Sequence, residues 1–233
     1  MEADVPYCID CIDNKGSLFY QLKTKEKDLL QAGHSQRLVK KGEIIFREGE
    51  FPVGIMCLTK GKVKIFKSGI GGREQIVHLV RPIDLMGYRA LFSDECFCAS
   101  AVALEDSIVC EIYRDNIFSV VKHNPGLSLK IIKYFANELG LSNNRTITLT
   151  QKHIRGRLAE SLLFLEETYG FEDDFATIQA YLSREDLANL SNMTTSNAIR
   201  TLSIFASENV ISIDGRRIKI LDKNKLERIS ELG

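Results

Sequence analysis

The sequence predicts an α+β protein with three parts: an N-terminal double-stranded β-helix (jelly roll), one long helix, and a C-terminal winged helix-turn-helix. Three patterns lead to this prediction. Between 38 and 112, short apolar runs alternate with glycines, which is typical of short strands joined by turns. From 125 to 149, apolar residues recur at four-residue intervals, as on one face of a helix. Between 183 and 221, two short helical patterns precede a hairpin signal.

Length and composition set the broad class. With 233 residues the chain has room for two ordinary domains, and its 44% hydrophobic and 27% charged residues are normal for a soluble globular protein. No apolar run approaches the ~18 residues that span a bilayer. The acidic start carries no targeting pattern, so we expect a cytoplasmic protein with no membrane partner. Basic and acidic residues balance at 31 each, which predicts modest non-specific affinity for nucleic acid.

Capping signals define the helix-turn-helix. Ser183 followed by Asp186 is a capping-box pattern that starts a first helix. After a short polar break, Thr194 can cap a second helix over 195–208. The Asp-Gly pair at 214–215 lies between alternating apolar runs and predicts a two-stranded wing. Two short helices so closely joined can place the second in a major groove, which predicts duplex DNA as ligand. The plainer alternative is a packed helix pair followed by a hairpin.

The long helix carries an apolar stripe formed by Leu127, Ile131, Phe135 and Leu139. A stripe that continues beyond a compact domain favours pairing with a second copy of the helix, and dimeric DNA readers match paired half-sites. The alternative is that the stripe packs only on its own β domain. The strands that precede it are predicted at 44–46, 55–58, 63–66, 75–80, 99–103 and 107–112.

Five segments carry a resemblance to a known family. They are KGEIIFREG at 41–49, KGKVK at 60–64, GREQI at 72–76, IRGRLA at 154–159 and LSREDLA at 182–188. With this order of elements, the chain resembles the Crp/Fnr family of bacterial transcription regulators over nearly its whole length. The segments that resemble the Fnr branch more closely are LMGYRA at 85–90, ALEDSIVCEI at 103–112 and CIDC at 8–11.

The resemblance implies a homodimer that binds a palindromic DNA operator, a cyclic-nucleotide-binding-like sensor domain, and RNA polymerase as a partner. It also suggests domain boundaries. These are a cysteine-containing tail (1–17), the β-roll sensor domain (18–124), the dimerisation helix (125–152) and the winged helix-turn-helix domain (153–233).

The resemblance assigns base reading to Thr195, Ser196, Ile199 and Arg200. Arg200 could donate two hydrogen bonds to guanine O6 and N7, although it could instead clamp a phosphate. Ser196 stands where both branches carry a glutamate, and Ile199 can only touch a thymine methyl group or pack. The operator should therefore differ from both family consensus sites. The residues expected to contact phosphate, unless the wing arginines are merely solvated, are Arg184, Thr194, Arg216 and Arg217.

The cyclic-AMP branch holds the ribose with a glutamate after the glycine at Gly87, and the phosphate with an arginine about ten residues later. Here those positions are Tyr88 and Cys98, so a bound phosphate would lack its charge-assisted pair, and cyclic AMP is not expected. Nothing in the sequence argues that Arg89 replaces the missing cation. The region could take another small ligand or be closed. The candidate effector residues are Gly87, Tyr88, Arg89, Cys98, Ala99, Ser142 and Asn143, of which the last two could instead set the register of a dimer seam.

Fnr-type regulators hold an oxygen-labile 4Fe–4S cluster with four cysteines, and Cys8, Cys11 and Cys110 match three of them. The remaining position is Ser17, a poor ligand for iron. An iron–sulfur cluster therefore lacks one ligand unless the fold supplies another. The cysteines that could replace it, if one lies near the tail, are Cys57, Cys96 and Cys98.

The same cysteines have other interpretations. Cys8 and Cys11 could form a dithiol switch, half of a zinc site, or a vestige in a tail. Cys110 could be a small buried residue of a strand. The sequence therefore predicts a redox or small-ligand input without identifying the cofactor.

Two further classes of function compete with a regulated transcription factor. One is a ligand-independent, constitutive or architectural DNA-binding protein of the same fold. The other is an enzyme, which we do not expect, because the four histidines form no metal or triad spacing and no nucleophile-elbow or P-loop pattern occurs.

Overall fold

The computed structural model describes residues 9–232, with side chains from residue 11 onward. The chain forms two compact units. The first contains the residues up to 67 together with 78–138, and the second contains 68–77 together with the residues from 139 onward. The helices are α1 (Ile9–Asp13), α2 (Thr24–Ala32), α3 (Tyr88–Ser93), α4 (Arg114–His123), α5 (Pro125–Gln151), α6 (Ile154–Tyr169), α7 (Arg184–Leu190), α8 (Thr195–Ser207) and α9 (Lys223–Leu232).

Two four-stranded sheets form the β-roll, with strand orders β1-β8-β3-β6 and β2-β7-β4-β5, and the wing is the pair β9-β10. The predicted fold class, a β-roll followed by a long helix and a winged helix-turn-helix, is confirmed. The strands are β1 (His34–Val39), β2 (Ile44–Phe46), β3 (Gly54–Lys60), β4 (Val63–Ser68), β5 (Glu74–Val80), β6 (Leu85–Met86), β7 (Ser100–Ala103), β8 (Ser107–Tyr113), β9 (Ile211–Asp214) and β10 (Arg217–Ile220).

The turn between β3 and β4 shows why glycine recurs in the roll. Gly61 has a φ of +102°, a conformation that side chains with a Cβ rarely adopt. A Cβ at this position would also lie 2.2 Å from the Ser107 Oγ. Glycine is therefore required here both by the backbone and by the neighbouring strand β8.

Strand β3 separates two apolar clusters of the first unit because alternate side chains point to opposite faces of a sheet. Met56 belongs to the cluster inside the roll, together with Phe46 and Phe97. Cys57 belongs to the cluster on the outer face, which also includes residues of α1, α2, α4 and α5. The first unit thus has a core on each side of this sheet.

The apolar stripe of α5 divides between two environments. Leu127 and Ile131 are buried in the outer cluster and Phe135 packs against it, so for these residues packing on their own domain is the observed state. Packing on the first unit, the alternative given in the sequence analysis, is therefore observed for Leu127 and Ile131, and pairing with a second copy of α5 stays a prediction. Leu139 is 63% exposed, and Ile132, seven residues earlier on the same side of the helix, is 62% exposed, as is Leu129 at 60%.

Candidate functional site

The first helix of the helix-turn-helix begins at the capping box that the sequence predicts. The Ser183 Oγ accepts a hydrogen bond from the Asp186 amide at 3.0 Å, and the Asp186 carboxylate accepts from the Ser183 amide at 3.3 Å. Each side chain thus satisfies an amide that has no partner inside the helix. This fixes the first residue of α7 and hence the position of Arg184.

The connection between α7 and α8 is short, and its conformation is fixed by backbone geometry and side-chain hydrogen bonds. Asn192 adopts a left-handed backbone conformation with a φ of 50°, which asparagine tolerates better than most residues. Ser191 is buried, and its hydroxyl donates to the Ser161 hydroxyl on α6 at 2.8 Å. Thr194 then caps α8, accepting from the Asn197 amide at 3.3 Å. The second helix therefore starts at the residue that the capping signal predicts.

Helix α8 has one buried face and one exposed face. Its exposed face begins at the first turn, and the Arg200 guanidinium donates to the Asn197 Oδ1 at 3.1 Å along that face. The four predicted base-reading residues all lie on it: Thr195, Ser196, Ile199 and Arg200 are exposed. The residues on the opposite face, which anchor the helix, are Ala198, Thr201, Leu202 and Phe205.

A bidentate ion pair holds the far end of α8. Both nitrogens of the Arg155 guanidinium donate to the Glu208 carboxylate, at 2.8 and 2.7 Å. The same guanidinium lies 5.1 Å from the centroid of the Phe205 ring. Arg155 therefore joins α6 to α8 through a charge-assisted pair and a cation–π contact.

The wing is attached to the start of α7. The Arg184 guanidinium donates to the carbonyl of Gly215, in the β9–β10 turn, at 2.6 Å. Burial lowers the pKa of Arg184, and the nearby positive charge of Arg216 lowers it further. Arg216 itself is exposed at the tip of the wing. Two of the predicted phosphate-contacting cations thus lie side by side.

The sequence suggests that Arg217 is either solvated or bound to phosphate, but its guanidinium is paired with a carboxylate of the protein. Its guanidinium forms an ion pair with Glu172 and lies 5.9 Å from the Tyr181 ring centroid. The hydrogen bond from the Tyr181 hydroxyl, and then that from Arg217, lower the pKa of Glu172. Lys219, the next cation of β10 on the same face, lies 3.2 Å from Asp174. The acidic loop at 171–177 therefore neutralises two cations of the wing.

Side chains of the segment 68–77 form hydrogen bonds to the end of α7 and to the turn that follows it, within the second unit. The Gln75 side-chain amide donates to the carbonyl of Asn189 at 2.7 Å, and Arg73 donates to the Asn192 side chain at 3.1 Å. Arg145 of α5 donates to the Ile76 carbonyl at 3.0 Å. Burial lowers the pKa of Arg145 to about 10. The bond from Gln75 satisfies a carbonyl that the end of α7 leaves open.

The interior of the roll beside Gly87 is filled by aromatic and apolar side chains. Gly87 has a φ of +76°, and a Cβ there would lie 3.0 Å from the Phe97 ring and 3.5 Å from Met56. Phe97 stacks on Phe46 with a centroid distance of 4.1 Å. Ala99, two residues after Phe97, is also buried. The interior next to the predicted effector glycine is therefore closed by close packing.

The polar side chains predicted to hold an effector form hydrogen bonds with neighbouring residues of the protein. The Tyr88 hydroxyl donates to Glu138 of α5 at 3.1 Å, and its ring stacks on Phe135. Burial, followed by the charge of Glu138, raises the pKa of Tyr88 well above its usual range. Arg89 is exposed and pairs with Glu95 at 2.8 Å. Cys98 is exposed beside Arg89, and its hydrogen bond raises the pKa of that arginine.

Ser142 and Asn143 lie on the part of α5 that belongs to the second unit, and both are exposed. The Ser142 carbonyl accepts from the Thr146 hydroxyl at 2.9 Å, a local bond within the helix. Their surroundings thus differ from the packed interior around Gly87.

The cysteines are distributed unequally. Cys8 lies outside the described residues. Cys11 of α1 and Cys57 of β3 are buried thiols joined by a hydrogen bond, which with burial raises the pKa of Cys57 well above its usual range. Cys110 of β8 is buried and disulfide-bonded. Ser17 caps a local turn, since its hydroxyl accepts from the Phe19 amide at 3.1 Å.

Comparisons with known proteins agree with this architecture. The family description "Cyclic nucleotide-binding domain" matches residues 36–124, and "Crp-like helix-turn-helix domain" matches 156–229. The "Cyclic AMP receptor protein" of Thermus thermophilus is 27% identical over 93% of this chain and 98% of its own. The "Fumarate and nitrate reduction regulatory protein" of Vibrio cholerae is 26% identical over 96% and 90%. The solved structure of FixK2 from Bradyrhizobium japonicum shares the fold, with a TM-score of 0.76, 22% identity, and coverage of 84% of this chain and 96% of that one.

A β-roll of the cyclic-nucleotide-binding type placed before a DNA-binding helix-turn-helix defines a class of sensor-linked transcription regulators. The chain belongs to the Crp/Fnr family of such regulators. The relatives are regulators of transcription and not enzymes. Among the residues that the structure describes, no helix combines the length and the apolar character needed to cross a membrane.

Some residues that shape these sites could not be identified from the sequence. Glu172 and Asp174 pair with β10 through long-range contacts, for which the sequence carries no signal. Gln75 was assigned to a strand, with no signal for its bond to α7. Cys57 was one of three cysteines that the sequence could not tell apart, and its position opposite Cys110 follows only from the register of β3 and β8.

Proposed function

We propose that this regulator reads a palindromic DNA operator as a homodimer, with the first two turns of α8 in the major groove. The observation that carries the proposal is the division of α8 into an anchored apolar face and an exposed face formed by Thr195, Ser196, Ile199 and Arg200. A recognition helix needs this division because it must be held rigidly while several side chains reach base edges.

Each exposed residue suits a particular contact. Arg200 has a planar guanidinium one turn inside the helix, where it can exchange its bond to Asn197 for guanine O6 and N7. Thr195 and Ser196 carry hydroxyls that can donate to or accept from base edges. Ile199 is 48% exposed and can contact a thymine methyl group. The set specifies bases through one strong arginine contact and several weaker ones.

Phosphate contacts would come from the start of α7, the cap of α8 and the tip of the wing. Arg184, Thr194 and Arg216 occupy these three positions. Arg217 is engaged by Glu172, which removes one cation from the surface available to DNA. Because non-specific affinity grows with the number of phosphates neutralised, we expect weak binding to random sequence and a marked preference for the operator.

The dimer would form along α5. This helix has 27 residues, a length of about 40 Å at 1.5 Å per residue. Leu129, Ile132 and Leu139 expose more than half of their side chains, although apolar residues of this size are usually covered. A second copy of α5 would cover them and would present two recognition helices to two half-sites. The operator-bound dimer would then act on RNA polymerase, as the family resemblance implies.

The proposal is tested by selecting duplexes from a random library with the purified chain and then measuring binding by fluorescence anisotropy. We expect a two-fold symmetric motif and a preference over scrambled duplex of roughly a thousandfold or more. Arg200→Ala should lose this preference, whereas Arg228→Ala, which removes an exposed cation from α9, should retain it. Selection of no common motif would contradict sequence-specific reading.

The dimer is tested separately by sedimentation velocity. Leu139→Glu places a charge on the exposed apolar surface of α5 and should shift the protein towards monomer. Asn137→Glu places the same charge at an exposed polar position of the same helix and should leave the dimer intact. Equal behaviour of the two variants would contradict α5 as the dimer surface.

A ligand-independent DNA-binding protein is the second candidate, and the packed interior around Phe97 favours it over nucleotide control. In that case the chain would bind its operator at full affinity with no effector added. The regulated and the ligand-independent candidates can be distinguished by measuring operator affinity in different redox or metal states of the protein. If the cysteines carry a regulatory signal, that affinity should change with the state.

A further inference from the structure

The junction between α5 and α6 is short, and its side chains contact the last helix of the chain. Two residues, Lys152 and His153, separate the two helices. The Lys152 ammonium donates to the Glu160 carboxylate of α6 at 2.8 Å and to the Ser230 hydroxyl of α9 at 3.2 Å. One side chain of the junction is thus bonded both to the helix that follows it and to α9.

The network is closed because Ser230 also bonds to Glu160. Its hydroxyl donates to the same carboxylate oxygen that accepts from Lys152, so each of the three groups contacts the other two. Ser230 is 4% exposed, although serine is mostly a surface residue. Burial opposes ionisation of Glu160, but the hydrogen bonds from Lys152 and then Ser230 lower its pKa overall. The buried hydroxyl therefore lies between two charged partners.

Helix α9 also bonds to the two helices that hold the DNA-reading face. Near its start, the Lys223 ammonium lies 2.7 Å from the Glu166 carboxylate of α6. The Lys225 ammonium donates to the carbonyl of Glu208, at the end of α8, at 3.0 Å. Leu226 is completely buried between these charged residues and Ser230. One helix of ten residues therefore contacts the junction, α6 and the end of α8.

We propose that α9 is a latch on the α5–α6 junction, closed by the contacts among Lys152, Glu160 and Ser230. For the junction to change conformation, the Lys152 ammonium must leave both of its acceptors. This movement takes a charged partner away from a buried hydroxyl, which costs free energy. Displacement of α9 lowers that cost, because it withdraws the Ser230 hydroxyl from Lys152 and Glu160 together. The latch thus couples the position of the C-terminal helix to the conformation of the junction.

The consequence for operator binding rests on the proposed function. Arg155 joins α6 to the end of α8, so a loose junction would let both helices move relative to the end of α5. The recognition helix would then be oriented for DNA in only part of the population, which lowers the apparent affinity. We expect Ser230→Ala to weaken operator binding in the anisotropy assay without changing the preferred bases.

Two backbone amides report on the junction directly. The Lys152 amide donates to the Thr148 carbonyl at 3.3 Å, and the Arg157 amide donates to the His153 carbonyl at 2.9 Å. Both bonds must break before these amides exchange their hydrogens with water. The latch is tested by hydrogen exchange of the full-length protein without DNA, read by mass spectrometry on peptides that cover 148–157. Peptides from the wing, in the same unit, serve as the reference.

Two substitutions open the latch and two serve as matched controls. Ser230→Ala and Glu160→Gln should each accelerate exchange at the junction roughly fivefold or more, while the wing keeps its rate. Asn224→Ala changes an exposed residue of α9, and Glu167→Gln makes the same charge change at an exposed position of α6. Both controls should exchange like the unsubstituted protein. Lys152→Met should add little to Ser230→Ala, because both changes break one network.

Two results would overturn the latch. The first is junction exchange that neither Ser230→Ala nor Glu160→Gln accelerates. The second is equal acceleration of the junction and the wing, which would show only a general loss of stability. Faster junction exchange with unchanged operator affinity would contradict the consequence for DNA binding. Because exchange is measured without DNA, a failure of the latch is distinguished from a failure of the proposed function, which is read from the duplex selection.

Discussion

The recognition helix and the interior of the β-roll are both anchored by a buried phenylalanine, but they differ in what they leave accessible. On α8, Phe205 secures one face while hydroxyls and a guanidinium remain exposed on the other. In the roll, Phe97 stacks on Phe46 and lies against Gly87, one of the effector residues predicted from the sequence. One region offers polar groups to a ligand, and the other offers a packed core.

This difference supports the proposal that the exposed face of α8 reads DNA, and it shows that the interior beside Gly87 is filled by side chains. A ligand site needs polar groups that can exchange protein or water partners for ligand atoms. Around Gly87 the polar candidates are already engaged, Tyr88 by Glu138 and Arg89 by Glu95. The chemically distinctive groups of the first unit are instead the sulfurs of Cys11, Cys57 and Cys110, on the opposite face of β3.

The largest effect is expected from opening the roll. Phe97→Ala should lower the free energy of unfolding by about 3–5 kcal/mol, because it removes a buried ring and leaves a cavity. The free energy of unfolding is measured by urea titration, with circular dichroism as the signal. Phe51→Ala, at an exposed position of the same roll, should change stability by less than about 0.5 kcal/mol. A similarly small effect of Phe97→Ala would mean that the interior is not closely packed.

The next effect concerns the exposed face of α8. Arg200→Ala should weaken binding to the selected operator by about 1–3 kcal/mol and relax the choice of base at one position of each half-site. Anisotropy titrations with a set of single-base operator variants measure both changes. Equal losses on operator and random duplex would show that Arg200 contacts phosphate and not a base.

A smaller effect is expected from the cap that fixes the start of α8. Thr194→Ala removes the acceptor of the Asn197 amide and should lower stability by about 1 kcal/mol. Thr195→Ala at the next residue, which is exposed, serves as the matched control and should be nearly neutral. The thermal unfolding midpoints of the two variants are compared. Equal midpoints would contradict the capping role of Thr194.

The smallest effect concerns the acidic loop. Glu172→Gln should release Arg217 for one more phosphate contact, so the plot of log affinity against log salt should steepen by roughly 0.9. Asp173→Asn makes the same charge change at the exposed neighbouring residue. If both variants steepen the plot equally, the effect comes from net charge and not from the Glu172–Arg217 pair.

Features that depend on residues close together in the chain could be predicted from the sequence. The capping box of Ser183 and Asp186 and the start of α8 at Thr195 are local, and both were predicted. Strand β6 has two residues, which is too short for a periodic pattern. Helix α9 was not predicted because it buries only Leu226 and Ser230 among polar neighbours.

Features that depend on register or on long-range pairing could not be predicted. Cys57 and Cys110 meet because β3 and β8 pair with that register, although 52 residues lie between them in the chain. The ion pair of Glu172 with Arg217 joins residues 45 positions apart. The stripe on α5 has helical periodicity throughout, but only the fold decides that Leu127 and Ile131 are covered and Leu139 is exposed.

The central claim is that the DNA-reading face is complete while the roll interior is closed to a cyclic nucleotide. It is tested most directly by titrating one preparation with the selected operator in the absence and presence of saturating cyclic AMP. We predict operator binding in both cases, with dissociation constants that agree within about twofold, because a nucleotide that does not bind cannot shift the equilibrium. A gain of roughly tenfold or more on adding cyclic AMP would contradict the account.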